Sequence, residues 1–220
     1  MYKPMLIGIG GASGSGKTTI AETIISNLPD ISKELKRNLT GIIFGMDNYY
    51  KDQSDITFEE RKKTNYDIPD AFEWPLMKKH LSEFLQGKII ERPIYSFAEH
   101  TREKRTEIIH PVDLIIFEGI LALYNKEIRS MMNYKFFINT DLDECLRRRM
   151  GRDIGERGRT FESVSKQWKD TVKPSYTRYI LPSIKNADFI VNWDGNTEKS
   201  IQGLVAIVKD HFNTMNYKKN

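Results

Sequence analysis

Cysteine is nearly missing: Cys145 stands alone in 220 residues, so no intrachain disulfide can brace the fold, and a reducing cytoplasm is the expected setting. Long apolar runs are missing too. Stretches such as Leu114–Phe117 are far too short to span a bilayer, and the opening MYKPMLIGIG has neither the long apolar segment nor the small-residue cleavage site of a secretory signal. There is no internal repeat and no low-complexity tract, which excludes solenoids and arrays. Excess charge of one sign is slight. Lys and Arg number 34 against 30 Asp and Glu, a net +4 that is too mild for a nucleic-acid binder. No linker rich in Pro, Gly or Ser divides the chain, so residues 1–220 read as one globular domain with neither nucleic acid nor membrane as partner.

Strand and helix patterns alternate. Met5–Ile9, Gly41–Met46, Leu114–Phe117, Lys135–Asn139 and Asp188–Val191 are short apolar runs of the kind found in central parallel strands. Between them the spacing predicts helices over Lys17–Leu28, Asp70–Gln86 with Pro75 in its first turn, Asp141–Met150 capped with support from Glu144, Phe161–Thr171, and Thr197–Phe212. Lys173-Pro174 is placed to break or kink the fourth. Ile89–Phe97 and Thr106–His110 read as paired strands joined by the charged link His100–Arg105, and Asn216–Asn220 as a disordered tail. The alternation argues for an α/β fold with a parallel sheet and a small hairpin lobe, 88–111, outside it.

Gly11-Ala12-Ser13-Gly14-Ser15-Gly16-Lys17-Thr18 matches G-x-x-x-x-G-K-[ST] and lies between a strand and a helix. Glycines let the backbone fold tightly enough to aim N–H groups at phosphate oxygens, and the helix that follows adds its free N-terminal donors. Lys17 can reach the β- and γ-phosphates, and the hydroxyl of Thr18 can bind Mg²⁺. GTPase switch patterns, Asp-x-x-Gly and Asn-Lys-x-Asp, are absent, and the chain is short for a motor or transporter ATPase. A small-molecule kinase remains.

Ligands of open α/β sheets bind beyond the carboxyl ends of the strands. Asp47 and Glu118 follow Gly41–Met46 and Leu114–Phe117 at such ends, where an acid can take a proton from an attacking hydroxyl or hold Mg²⁺. Asp113 sits at the opposite end of its strand and reads as structural. Arginines crowd the stretch from Arg147 to Arg159, which suggests a compact anionic ligand. Gly155, Gly158 and alternating charges make 151–160 a candidate lid in which Arg152, Arg157 and Arg159 face the transferring phosphoryl group. Arg147 and Arg148 read as a solvated helix end, and His80, His110 and His211 as structural or surface residues.

Taken in order, GASGSGKTT (Gly11–Thr19), MDNYY (Met46–Tyr50), NYDIPDAF (Asn65–Phe72), PIYSFAEHTR (Pro93–Arg102), FEGIL (Phe117–Leu121) and RDIGERGR (Arg152–Arg159) resemble the uridine kinase (uridine–cytidine kinase) family from roughly Leu6 to Ile190. The resemblance implies a P-loop NTPase fold: a five-stranded parallel sheet with helices on both faces and a β-hairpin lobe over the nucleoside. It implies transfer from ATP or GTP, with Mg²⁺, to the 5′-hydroxyl of uridine or cytidine, by a cytoplasmic homotetramer. By that resemblance Asp47 is the general base. Thr18, Asp47 and Glu118 surround the metal, and Gly11 to Thr19 bind the donor. Asp67 holds the ribose hydroxyls, with Arg159 or Gln167 sharing the task. Tyr95, Phe97 and His100 form the base pocket, and Tyr50 belongs to the polar aromatic loop behind Asp47. Arg149, Arg152 and Arg157 face phosphate.

Ser96, Trp168, Gly45-Met46 and Asn192-Trp193 depart from the family's usual text, the last pair near the expected donor base. The competing readings are a phosphoribulokinase-like or pantothenate-kinase-like enzyme on the same framework, and a non-catalytic nucleotide-binding regulator. The aromatic pocket tells against the first, and Asp47 beside an intact Lys17-Thr18 against the second.

Overall fold

The computed structural model describes residues 4–193 and 198–217. Seven strands form two sheets: β1 (Met5–Gly11), β2 (Gly41–Gly45), β3 (Ile90–Ser96), β4 (Thr101–Ile109), β5 (Leu114–Glu118), β6 (Tyr134–Asn139) and β7 (Phe189–Asn192). Five of them make one all-parallel sheet in the order β2-β5-β1-β6-β7, while β3 and β4 form an antiparallel ribbon. The helices are α1 (Lys17–Ser26), α2 (Leu28–Leu35), α3 (Phe58–Arg61), α4 (Trp74–Leu85), α5 (Lys126–Arg129), α6 (Leu142–Gly155), α7 (Phe161–Gln167), α8 (Lys173–Ser175) and α9 (Glu198–Tyr217).

Both faces of the sheet are covered, because side chains alternate along each strand. Met5, Ile7 and Ile9 of β1, with Leu114 and Ile116 of β5, pack against Ile20 and Ile24 of α1 and Leu204, Val208 and Phe212 of α9. Leu6, Phe44, Ile115, Phe117 and Phe137 point the other way, onto Met77, Leu81 and Phe84 of α4. Each such side chain, if fully buried, is worth about 1.5–3 kcal/mol. Among the described residues no helix is long and apolar enough to cross a membrane.

Register then positions the chemistry. Glu118 lies opposite Ile9 on one side and Gly45 on the other. The carboxyl ends of β5 and β2 are therefore level and β1 runs two residues further, to Gly11, so the phosphate loop, Glu118 and the turn bearing Asp47 emerge at the same edge of the sheet.

Several elements differ from the sequence reading. The helix expected from Asp70 begins only at Trp74, because Pro69–Ala71 forms a separate 3₁₀ turn and Phe72 is extended. The helix expected to reach Leu28 stops at Ser26, and Pro29, at home in a first turn, opens the separate α2. The charged link is largely strand: β4 begins at Thr101, with Tyr95 opposite Arg102, because a two-stranded ribbon leaves charged side chains in water. The tight turn is at 97–100, where His100 takes the left-handed conformation at φ 53°. Helix α6 runs past Met150 to Gly155, and Glu144 accepts from Arg147 and Arg148 at 2.6 Å each instead of supporting a cap. Pro174 does not break its helix: π turns at Trp168–Val172 and Tyr176–Ile180 flank it, and the wider turns accommodate a residue with no N–H to give. At the C-terminus, residues 216 and 217 of the expected tail are helical; Thr197 and residues 218–220 lie outside the described residues.

Candidate active site

The phosphate loop demands glycine at backbone positions that include Gly14 and Gly16. Gly14 has φ +82° and a Cβ there would meet the carbonyl oxygen of Cys145 at 2.3 Å; Gly16 has φ +98° and its Cβ would meet Nε1 of Trp193 at 2.4 Å. The loop is braced from outside, with Thr140 Oγ1 donating to the Ser15 carbonyl at 3.0 Å. Arg148, expected in solvent, reaches the carbonyls of Ser15 at 3.5 Å and Trp193 at 3.3 Å; Arg147 does stay at the surface. Inside, Lys17 is buried and donates from Nζ to the Ala12 carbonyl at 2.7 Å. Burial lowers its pKa, while the charges of Glu118 and Asp47 oppose the shift. Ser15 Oγ is buried with no hydrogen-bond partner. An orphan hydroxyl, a lysine folded back on its own loop and a glycine cradle fit a polyphosphate.

Asp47 sits on a 3₁₀ turn, Met46–Tyr49, directly after β2. Burial raises its pKa. Lys17, Arg157 and Arg152 oppose that rise, as does a hydrogen bond from the Tyr50 hydroxyl. Glu118 is pushed up to about 6, again chiefly by burial, with Lys17 lowering it and Asp47 raising it. Thr18 Oγ1 donates to Glu118 Oε1 at 3.3 Å. A hydroxyl and two carboxylates are hard oxygen ligands that suit Mg²⁺. Among the described residues no group of three or more His, Cys, Asp or Glu side chains could hold a metal ion. Asp113, at the far end of β5, accepts from Thr40 N at 2.8 Å and Thr40 Oγ1 at 3.0 Å and is structural. His80 shares a hydrogen bond at 3.0 Å with the Tyr49 hydroxyl, also a structural role.

On the other side of Asp47 stands an aromatic wall. Tyr50 stacks on Phe72 with ring centroids 4.4 Å apart and meets Tyr95 at 4.9 Å; Tyr95 meets Phe97 edge-on at 5.3 Å. His100 stacks on Tyr66 at 5.8 Å, and the Tyr66 hydroxyl donates to the His100 carbonyl at 3.1 Å. Burial, then the charge of Arg159, lowers the His100 pKa, which favours the neutral ring, a form that can both donate and accept. Tyr66 was not singled out from the sequence, although its place between Asn65 and Asp67 offered a signal. Asp67 is buried, and its amide donates to Asn65 Oδ1 at 3.0 Å. Burial raises its pKa, opposed first by Arg149.

The arginines close the third side. Arg149 donates to Ser13 Oγ of the phosphate loop at 2.7 Å and to Gln167 Oε1 at 2.8 Å. Arg159 reaches the same Gln167 oxygen and Ser163 Oγ at 2.8 Å. The guanidinium of Arg157 lies 4.1 Å from the Phe97 ring centroid, a cation–π contact. Of the segment 151–160, Gly151–Gly155 forms the end of α6, and only the rest lies beyond the helix. Asp153, which the sequence reading passed over, is fully buried and bridges to Arg149, Arg152, Arg157 and Arg159.

The sequence model of the phosphoribulokinase / uridine kinase family matches residues 6–199. The chain is 45% identical over 208 residues to the uridine kinase of Ligilactobacillus salivarius, covering 94% of each chain. It is 45% identical over 211 residues to that of Serratia proteamaculans, covering 96% of this chain and 97% of the relative. In structure it is similar to D-glycerate 3-kinase of Cryptococcus neoformans, with TM-score 0.61, 18% identity and 87% of each chain covered, a likeness of fold alone.

Proposed function

The chain belongs to the phosphoribulokinase / uridine kinase family, and from that premise we propose that it is a uridine kinase, transferring the γ-phosphate of ATP or GTP to the 5′-hydroxyl of uridine or cytidine in pyrimidine salvage. One observation carries the reading of the site. Asp47 lies in the fields of Lys17, Arg157 and Arg152, with the phosphate loop on one side and the wall of Tyr50, Tyr95, Phe97 and His100 on the other. A base-sized aromatic wall favours a nucleoside over a sugar phosphate, which needs extra cations instead.

Asp47 accepts the proton of the 5′-hydroxyl as that oxygen bonds to the γ-phosphorus and the bond to the β–γ bridging oxygen breaks. Lys17, Arg152 and Arg157 stabilise the charge that spreads over the transferring group. Magnesium, held through Thr18, Asp47 and Glu118, would neutralise phosphate charge. Backbone N–H groups of Gly11 to Thr19 hold the donor. Asp67 accepts from the ribose hydroxyls, with Arg149, Arg159 and Gln167 around it. His100 and the rings of Tyr95 and Phe97 receive the pyrimidine. The resemblance and the single thiol support a cytoplasmic homotetramer.

A coupled screen for nucleoside diphosphate release across uridine, cytidine, adenosine, thymidine, ribulose 5-phosphate and pantothenate tests the proposal. Turnover confined to uridine and cytidine is the expected result; turnover with ribulose 5-phosphate or pantothenate and none with uridine refutes it.

A further inference from the structure

Asp153 sits in the last turn of α6 with its side chain 1% exposed. Its two oxygens face four guanidinium groups: Arg152 at 2.9 Å and Arg157 at 3.5 Å from Oδ1, Arg149 at 3.4 Å and Arg159 at 3.5 Å from Oδ2. A buried carboxylate needs compensation, but one arginine meets its charge. Four guanidinium groups face this one carboxylate; Asp67 lies in the field of Arg149, and Asp47 in the fields of Arg152 and Arg157, and the smaller positive surplus that remains suits an anion that has yet to arrive.

Three of the arginines also reach different parts of the cleft: Arg149 the phosphate loop at Ser13, Arg157 the hairpin at Phe97, Arg159 helix α7 at Ser163. One carboxylate thus ties together the donor loop, the nucleoside lobe and helix α7. A guanidinium carries five N–H donors in a fixed fork, so an arginine held by Asp153 keeps others free for phosphate. We propose that Asp153 is a positioning residue that holds these arginines converged before the donor binds and shares Arg152 and Arg157 with its phosphates during transfer. Asp153 itself moves no proton and touches no substrate. The inference rests on the reading of the arginines given under Proposed function.

The test is Asp153→Asn in the full chain, followed by kcat, the KM for uridine and the Kd for inorganic tripolyphosphate. Lost orientation should lower kcat about tenfold to a hundredfold, with KM for uridine within about twofold. Tripolyphosphate should bind as tightly or tighter, because a negative charge has gone while the arginines remain. A kcat within about twofold of the parent, or tripolyphosphate affinity that falls in step with kcat, overturns the proposal in favour of a purely structural role. If the asparagine variant does not fold, Asp153→Glu decides, since it keeps the charge but moves it by one methylene. A severalfold loss of kcat with unchanged tripolyphosphate affinity supports the proposal. Parental kcat, or a second unfolded chain, overturns it. Arg157→Ala runs alongside: parental kcat there removes the lid reading itself, whereas lost kcat there with parental kcat in Asp153→Asn removes the present inference alone.

Discussion

Glu118 should make the ligand-free enzyme less stable than it needs to be, and Glu118→Gln should reveal by how much. Burial lifts the carboxyl from an ordinary 4.5 to about 6. At about 1.4 kcal/mol per pH unit, holding it ionised costs on the order of 2 kcal/mol at neutral pH. The folded value is the higher one. The group's contribution to stability is therefore fully present below 4.5 and is lost as pH rises through about 6. Glutamine removes the buried charge while its carbonyl oxygen still accepts from Thr18 Oγ1. It also deprives the buried Lys17 of the largest charge opposing its lowered pKa, which offsets part of the gain. The net stabilisation expected at pH 8 is about 1 kcal/mol, or a Tm higher by about 2–4 °C for a chain of this size. Calorimetry on the magnesium-free, ligand-free protein at pH 8 and pH 5 measures it, and the advantage should shrink at the lower pH. A Glu118→Gln protein that melts below the parent at pH 8, or by the same margin at both pH values, refutes the reasoning. The same substitution should lower kcat, the usual exchange of stability for function at a site that holds a strained charge.

Asp47→Asn should bind both substrates and lose several orders of magnitude in kcat, because the amide cannot take the hydroxyl proton; near-normal turnover in a single-turnover assay removes Asp47 as the base. His100→Ala should raise the KM for uridine about tenfold or more while the donor KM stays within about twofold, a loss of about one buried hydrogen-bonding group; a shift in donor KM instead reassigns the pocket. The acid limb of kcat/KM, which reports the free enzyme, should lie above the ordinary carboxylate range, since burial raises both Asp47 and Glu118, the latter to about 6. A limb at or below pH 4.5 would mean that neither buried acid governs turnover.

Hydrophobic period, turn residues and one glycine-rich motif sufficed to place five parallel strands, the phosphate loop and both strand-end acids, because each is written in a local run of side chains. NYDIPDAF, YSFAEHTR and RDIGERGR carried the resemblance to the family, and with it the expectation of a nucleoside pocket. Boundaries were less legible. The end of α6, the start of β4 and the passage through Pro174 depend on what the backbone packs against, which local propensity does not encode. Tertiary structure alone decided how charges were shared. Arg147 and Arg148 are adjacent and alike in sequence, yet one is solvated while the other reaches the phosphate loop across 133 positions. Asp153 reads in sequence as one acid among arginines. Only folding takes it from water and gathers four guanidinium groups around it, because burial is a property of the assembled cleft and not of any segment that builds it.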